Sequence, residues 1–561
     1  PTGAERRLAL GVALVAGFLY AGSLVGFRAL NPFDVSWLRA DILASHLAWE
    51  FVRQDPVTAL PLLFTDQVGY PLVTSAAQFD VMPVVAIALL SISRVLPTAF
   101  QYLGPVQVFA AGALFYLGYA LARGHGGTRL FAAGAGTLLM TNSVFTMRVG
   151  THAALTAHCF LVWMIFESMR AASTMESPGP RGRSRRFERA WLVAIVTLGF
   201  NPYLAVMVTL LVVALGVQLV RAGSSSARAA LVTGAVGVLA LGASAWFFGY
   251  VGTGEDLGAP GFGEFSANLN TLVNPLVFSR FLPMLPVLGV GQQEGMAYLG
   301  LAGFVCAATW LVALRRSREL RASARSALPV HVMIVVMFAG ALSNRVTLGN
   351  RVLFDVPLGD SVARLASVLR SSGRFSWPLF YLILSAGIAA MPHVIPRRLQ
   401  GALGIALAAL QLVELSPLRS GVMWSTSELQ KAPMALRSPP WSDLGKTSRH
   451  LVVLPAWQCG PLGSPGGLSG FATFGVLAIE QKMTLNSYYS GRYGDAQNRY
   501  HCVRVVEELF RKGPLPDTAY VLSDALRTAL LVAHGQSVQC VDADGFHLCT
   551  TRRAEPASSA H

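Results

Sequence analysis

The sequence predicts a polytopic α-helical membrane protein of about eleven spans with a C-terminal extracytoplasmic α/β domain. Three observations predict it. Of 561 residues, 53% are hydrophobic and only 13% charged, and the mean hydropathy is +0.50. An average soluble domain is about 25% charged. Apolar runs of about 17–25 residues, the length that crosses a bilayer, recur up to residue 416. The basic residues behind the net charge of +15 gather in short loops such as RGRSRRFER (181–189) and RRSRELRASAR (315–325). Cytoplasmic loops show this pattern. It accounts for the charge without nucleic acid and leaves the membrane as the implied partner.

The first span is 7–30, with Arg6 and Arg7 on the inside. It is too long for the h-region of a cleavable signal. Segments 103–121, 129–143 and 152–170 follow as spans. Segment 81–97 would upset the parity of the basic loops if it crossed. It is short and bracketed by Pro83 and Pro97, so it is read as a half-inserted helix at the outer surface. Pro202, in GFNPYL, lacks an amide and divides 189–220 into two short passes, 189–200 and 203–220. Segments 228–250, 297–314, 330–344, 375–392 and 399–416 complete the set. Residues 1–416 are thus the membrane domain and 417–561 the external one.

The external domain mixes strand-like runs with a helical stretch near 496–512. The strand-like runs are HLVVLPAW (450–457), AYVLSD (519–524) and SVQCV (537–541). GPLGSPGGLSG (460–470) reads as a flexible loop. Cys459, Cys502, Cys540 and Cys549 all follow residue 417, as expected of two disulfides in an oxidising compartment. Three pairings exist. Cys540–Cys549 across a hairpin with an Asp-Gly turn, with Cys459–Cys502, is the expected one. Cys159 and Cys306 sit in apolar runs and read as inert packing.

The loop 31–80 holds six acids: Asp34, Asp41, Glu50, Asp55, Asp66 and Asp80. The next 170 residues hold three, Glu167, Glu176 and Glu188. Ionisable groups near a bilayer are costly and tend to be functional. In DILASHLAWEFVRQ, Ile42, Leu43, Leu47 and Phe51 recur at helical spacing. They predict an amphipathic helix on the outer leaflet. Asp41, Ser45 and His46 approach one face of it, and Trp49 and Arg53 suit the interface. Asp41 is either the N-cap of this helix or a working carboxylate.

A second external cluster, within residues 344–377 around the outer loop 345–374, holds Arg345, Arg351, Arg364, Arg370 and Arg374. Arg370 and Arg374 flank Ser-Ser-Gly at the mouth of a span, a place to grip a lipid-linked phosphate. Pairing with Asp355, Asp360 and head groups is the alternative. Arg148, His152 and His158 lie at the outer ends of two spans. The histidines are six apart, a poor spacing for a metal on one helix face. Glu264, Asn268, Asn270, Gln292, Gln293 and Glu294 stand beside Phe262, Phe265 and Tyr298. They suit either carbohydrate recognition or an ordinary external loop.

The strings DILASHLAWEFVRQDP, QFDVMP, FQYLG, NPYL, GFGEFSANLN, GQQEGMAYLG, ALSNRVTLG and RSSGRFSWP span residues 41–378. Together with the architecture they resemble the GT-C superfamily of polyprenyl-phosphate-sugar-dependent glycosyltransferases. They look closer still to an uncharacterised bacterial membrane protein family of unknown function. The resemblance implies a GT-C-like fold and an inverting transfer of sugar from a polyprenyl phosphate to a cell-envelope glycan or lipid acceptor. It implies a bacterial inner-membrane protein with its C-terminal domain in the periplasm.

Asp41 takes the place of the catalytic base, with Asp80 and Asp34 as alternates. Arg370, Arg374 and Arg148 would contact the donor phosphate. His46, Trp49, His152, Gln293, Glu294 and Tyr298 would line the substrate. No cofactor is required by this reading. A divalent metal would call on Asp41, Asp80 and Glu294. A transporter or flippase for a lipid-linked sugar, or a non-enzymatic subunit of a polysaccharide assembly complex, is the alternative.

Overall fold

The computed structural model describes residues 3–55, 60–97, 99–173, 180–252, 258–427 and 432–552. Glu176 of the basic loop and residues 253–257 of the outer loop 251–296 lie outside the described residues. The chain is mostly helical. Among the described residues, five helices are long and apolar enough to cross a membrane: Gly3–Val25, Leu103–Gly124, Pro202–Arg221, Ala227–Phe247 and Ser372–Val394. The number rises to seven if each of two bent pairs is one span. Those pairs are Arg318–Ser326 with Leu328–Ala341, bent by 65°, and Arg397–Glu414 with Ser416–Ser425, bent by 49°. Other segments read as spans form shorter helices, among them Arg129–Met140 and Gly300–Arg316.

The chain divides into two compact units. The first comprises Pro1–Trp37, Pro97–Ala245 and Gly258–Ser427. Its helices pack through small residues. A Cβ on Gly17 would meet the Val108 carbonyl at 2.6 Å, and one on Gly112 would meet the Ala13 carbonyl at 2.9 Å. Backbones that close are characteristic of helices packed in lipid, where dispersion rather than water exclusion drives association. The expected break at GFNPYL is present. The helix Pro180–Leu198 ends, Asn201 accepts from the Tyr203 amide at 2.9 Å, and Pro202 opens Pro202–Arg221.

The second unit comprises Leu38–Leu96, Trp246–Leu257 and Glu428–His561. Most of the acidic first loop therefore groups with the C-terminal residues, a division that differs from the sequence boundary at 416/417. Two contacts hold it there. The helix Ala40–Gln54 packs on Gly470–Glu480. A side chain on Gly475 would collide with Leu47 at 2.7 Å, so glycine permits that approach. The segment 67–70 also extends the sheet edge, with Gln67 accepting from the Leu485 amide at 2.9 Å and Gly69 donating to the Leu485 carbonyl at 2.7 Å.

The five-stranded sheet of this unit runs Thr484–Leu485, His450–Leu454, Thr518–Leu522, Phe546–Thr551, Val538–Ala543. The first three strands are parallel and the last two pair antiparallel. Each of the three strand-like runs contains a strand, although 455–457 and 523–524 fall outside them, and Val452, Leu454, Leu509, Tyr520, Leu522 and Leu530 are core residues. Asp544 and Gly545, at φ 50° and 81°, make the tight turn that returns the hairpin. It sets Cys540 opposite Cys549, and the two sulfurs are 2.03 Å apart. Cys459 and Cys502 form the other bond. GPLGSPGGLSG is not loop throughout. Gly467–Ser469 turn as a 3-10 segment, and its last residue, Gly470, opens the helix Gly470–Glu480.

Candidate functional site

Two polar clusters form, one in each unit. In the second unit, Asp41 lies in the first turn of Ala40–Gln54, where the helix dipole favours a carboxylate. It is not the cap. Arg39 holds that position, with no side-chain cap bond. Asp41 instead accepts a hydrogen bond from the Tyr489 hydroxyl. Asp80 reaches the same neighbourhood from another element. Ser75 caps the turn Ala76–Phe79 through the Ala77 amide, and Asp80 ends it at φ 58°. Aspartate is one of the few side chains that tolerates this left-handed geometry. Pro83 then starts the eight-residue helix Pro83–Leu90, the helical core of the segment read as half-inserted.

Burial, reinforced by the Asp41 carboxylate and, more weakly, by Tyr493 and Asp80, pushes the Tyr489 phenol well above its ordinary range. Burial and Asp80 do the same to Tyr250. Two carboxylates and three tyrosines thus share one electrostatic neighbourhood. Tyr489 and Tyr493 belong to the run NSYYSGRYG (486–494), whose tyrosine density was the only sequence signal for them.

Asp34 belongs to the first unit. Its carboxylate accepts from the Ser36 amide at 2.9 Å and pairs with Arg28 at 3.0 Å. Ser36, with help from Arg28, holds it below the usual carboxylate range. These are the bonds of a local turn.

The helix Ala40–Gln54 is not amphipathic in place, because every residue from Ile42 to Val52 is buried. His46 and Trp49 are therefore enclosed rather than offered to a substrate. Burial, aided by Arg53, lowers the His46 pKa to about 4, so its imidazole stays neutral. Arg53 lies over the Trp49 ring, pairs with Glu50 at 3.0 Å and donates to the Ser93 and Leu96 carbonyls.

Burial raises the Glu50 pKa to about 7, against the opposing pull of Arg53. The folded protein then holds the Glu50 proton more tightly than the unfolded chain does. Its contribution to stability is greatest below about pH 4.5 and is lost as pH rises through 7. The loss is roughly 3 kcal/mol at most. Melting curves of wild type and Glu50→Gln should differ by an amount that changes between pH 4.5 and 7 and is constant on either side. A difference independent of pH across that window would refute the assignment.

The second cluster, in the first unit, joins five of the sequence strings. Arg148 forks onto Glu294 at 3.2 and 3.1 Å, and Arg374 reaches the same carboxylate at 2.8 Å. Arg374 lies 4.7 Å from the Tyr203 ring centre and Arg148 5.3 Å from that of Trp377. Burial alone would raise the Glu294 pKa, but Arg148 and Arg374, with His152 nearby, hold it far below the carboxylate range.

Backbone contacts set this geometry. A Cβ on Gly373 would strike Gly295 at 2.7 Å and Ser266 at 2.9 Å, so RSSGR nests between GQQEG and GFGEFSA. Asn268 donates to Gln292 at 3.0 Å and to the Gly349 carbonyl at 2.8 Å, tying in ALSNRVTLG. Tyr203 of NPYL accepts from the Ser371 amide at 3.2 Å.

Arg148 and Arg374, expected on a phosphate, are thus already neutralised in part by Glu294, itself expected on substrate. Arg370 lies 5.6 Å from the Phe265 ring centre and has no carboxylate partner among the described residues. Tyr298 is buried and donates to Glu414, a carboxylate fully enclosed and also bonded to the Leu301 amide at 2.7 Å. Gln293 is exposed, and His152 lies close enough to Glu294 to act on its charge. With both oxygens on arginines, Glu294 would have to release them to ligate a metal.

The comparisons with known proteins agree with a two-part chain. Residues 13–416 match the model of a domain of unknown function, DUF6311. Residues 440–551 match the C-terminal domain that accompanies it. No curated protein matches the chain. The first match alone spans well over half of the sequence, and the protein belongs to the DUF6311 family.

Proposed function

We propose that this protein is an inverting membrane glycosyltransferase of the GT-C type, threading the bacterial inner membrane about eleven times and active on the periplasmic face. The observation that carries the reading is that Asp41 accepts a hydrogen bond from Tyr489 in a place where the charge of Asp80 is also felt. Asp41 takes the acceptor hydroxyl proton as that oxygen attacks the anomeric carbon of a sugar on a polyprenyl phosphate. The bond to the phosphate oxygen breaks, and the polyprenyl phosphate leaves with the negative charge. Tyr489 positions Asp41 through its hydrogen bond. Within the first unit, Arg370 lies over Phe265 with no carboxylate partner among the described residues and is the candidate contact for an anionic group.

Apolar helices supply a lateral route for a lipid donor, and the two disulfides fit an oxidising compartment. The acceptor is a cell-envelope glycan or lipid. The test is a chromosomal Asp41→Asn replacement with envelope glycans profiled by mass spectrometry. The expected result is loss of a sugar at unchanged protein level. An unaltered glycan profile would remove Asp41 as the base. A profile altered only by arrest of lipid-linked sugar on the cytoplasmic side would favour a flippase instead.

A further inference from the structure

The second unit contains a cavity of about 120 Å³ that shares no residue with the Asp41 cluster. Tyr70, Tyr500, Tyr520, Val452, Glu508 and Lys512 are among its lining residues. Each tyrosine is held by a different element. Tyr70 stacks on His450 at 4.1 Å between ring centres, and its hydroxyl lies 3.3 Å from the imidazole Nε2. Tyr520 projects from the strand Thr518–Leu522, and its hydroxyl accepts from the Leu515 amide at 3.1 Å.

Tyr500 opens a π-helical turn, Tyr500–Arg504, whose Cys502 is bonded to Cys459. Such turns concentrate at functional sites. Burial raises the Tyr500 phenol, and Glu508, Tyr70 and Tyr520 add to the effect, so these four groups face a common space.

Glu508 and Lys512 sit on the helix Val505–Lys512 at the spacing where opposite charges normally pair. They form no ion pair with each other, and neither has another ion-pair partner among the described residues. An acid and a base are therefore both available on a wall that shares the cavity with three aromatic rings. A purely apolar ligand would leave both charges unanswered. A phosphate would meet the Glu508 carboxylate and find no arginine. A polyol ring answers all of them: its C–H face lies on an aromatic ring, and its hydroxyls donate to Glu508 and accept from Lys512.

We propose that this cavity binds a hexopyranose unit of a glycan. That the sugar belongs to the acceptor rests on the transfer reading above; that a sugar binds does not.

The test is saturation-transfer NMR on the full chain in nanodiscs, with soluble oligosaccharides of glucose, galactose, mannose and N-acetylglucosamine as probes. At least one probe should take saturation from the wild type. Its affinity should fall roughly tenfold in Tyr500→Ala and in Glu508→Gln. It should fall about fivefold in Lys512→Ala, an exposed position that spares the fold if Tyr500→Ala does not. Asp41→Asn should bind as the wild type does, which separates failure of this site from failure of the transfer reaction. Absence of saturation with every probe, or equal binding by all three cavity variants and the wild type, would overturn the proposal.

Discussion

Glu294→Ala should destabilise the helical unit by about 3–5 kcal/mol, the usual cost of leaving buried charge without its partner. Arg148 is 4% exposed and Arg374 12%, and both point their donors at this one carboxylate. Removing it leaves two guanidiniums facing each other in a poorly hydrated place. The triple replacement Arg148→Met, Glu294→Leu, Arg374→Met should recover more than half of the loss, because apolar side chains of similar size need no partners. Thermal unfolding in detergent, followed by loss of the folded band after limited proteolysis, measures both. A Glu294→Ala protein that melts with the wild type would mean that the triad contributes nothing. The same geometry bears on function. A phosphate reaching Arg374 must compete with Glu294, so Arg370 should dominate donor affinity.

The second large effect belongs to Asp41. Asp41→Asn should slow sugar transfer by roughly 10²–10⁴-fold, the range for losing a general base. Tyr489→Phe removes one hydrogen bond to that base, worth about 1 kcal/mol, and should slow transfer only about fivefold. Because Arg39 rather than Asp41 occupies the cap position, Asp41→Asn gives up no cap bond, and losing the carboxylate at the helix N-terminus should cost only about 0.3–1 kcal/mol. The contrast between a large rate effect and a small stability effect distinguishes a working carboxylate from a structural one.

Some of this was legible in the sequence because it depends on local chemistry. Asp-Gly between strand-like runs fixes the hairpin and hence the Cys540–Cys549 pair. Pro202 marks a helix break wherever it falls. The concentration of acids in 31–80 singled out Asp41 and Asp80 without any contact being known. What stayed hidden depends on contacts between distant segments. Periodicity in DILASHLAWEFVRQ describes one apolar stripe, but it cannot reveal that Ser45, His46 and Glu50 are covered as well. Nor could spacing show that Glu294 pairs with both Arg148, 146 residues before it, and Arg374, 80 residues after it. Reading the three as separate substrate contacts followed from seeing charge without its partner. Tyr489 was overlooked because a tyrosine-rich loop has many structural uses, and only its bond to Asp41 distinguishes it.

The central claim is that Asp41 is the base of a transfer from a polyprenyl phosphate. Its most direct test is transfer of radiolabelled sugar from synthetic polyprenyl-phosphate donors to a delipidated envelope extract by the purified full chain in nanodiscs. Wild type and Asp41→Asn of matched melting temperature would be compared. The account predicts label in the acceptor fraction with inverted anomeric configuration for the wild type, and at least a hundredfold less for Asp41→Asn. Equal incorporation by the two proteins, or none by the wild type with any donor, would contradict it.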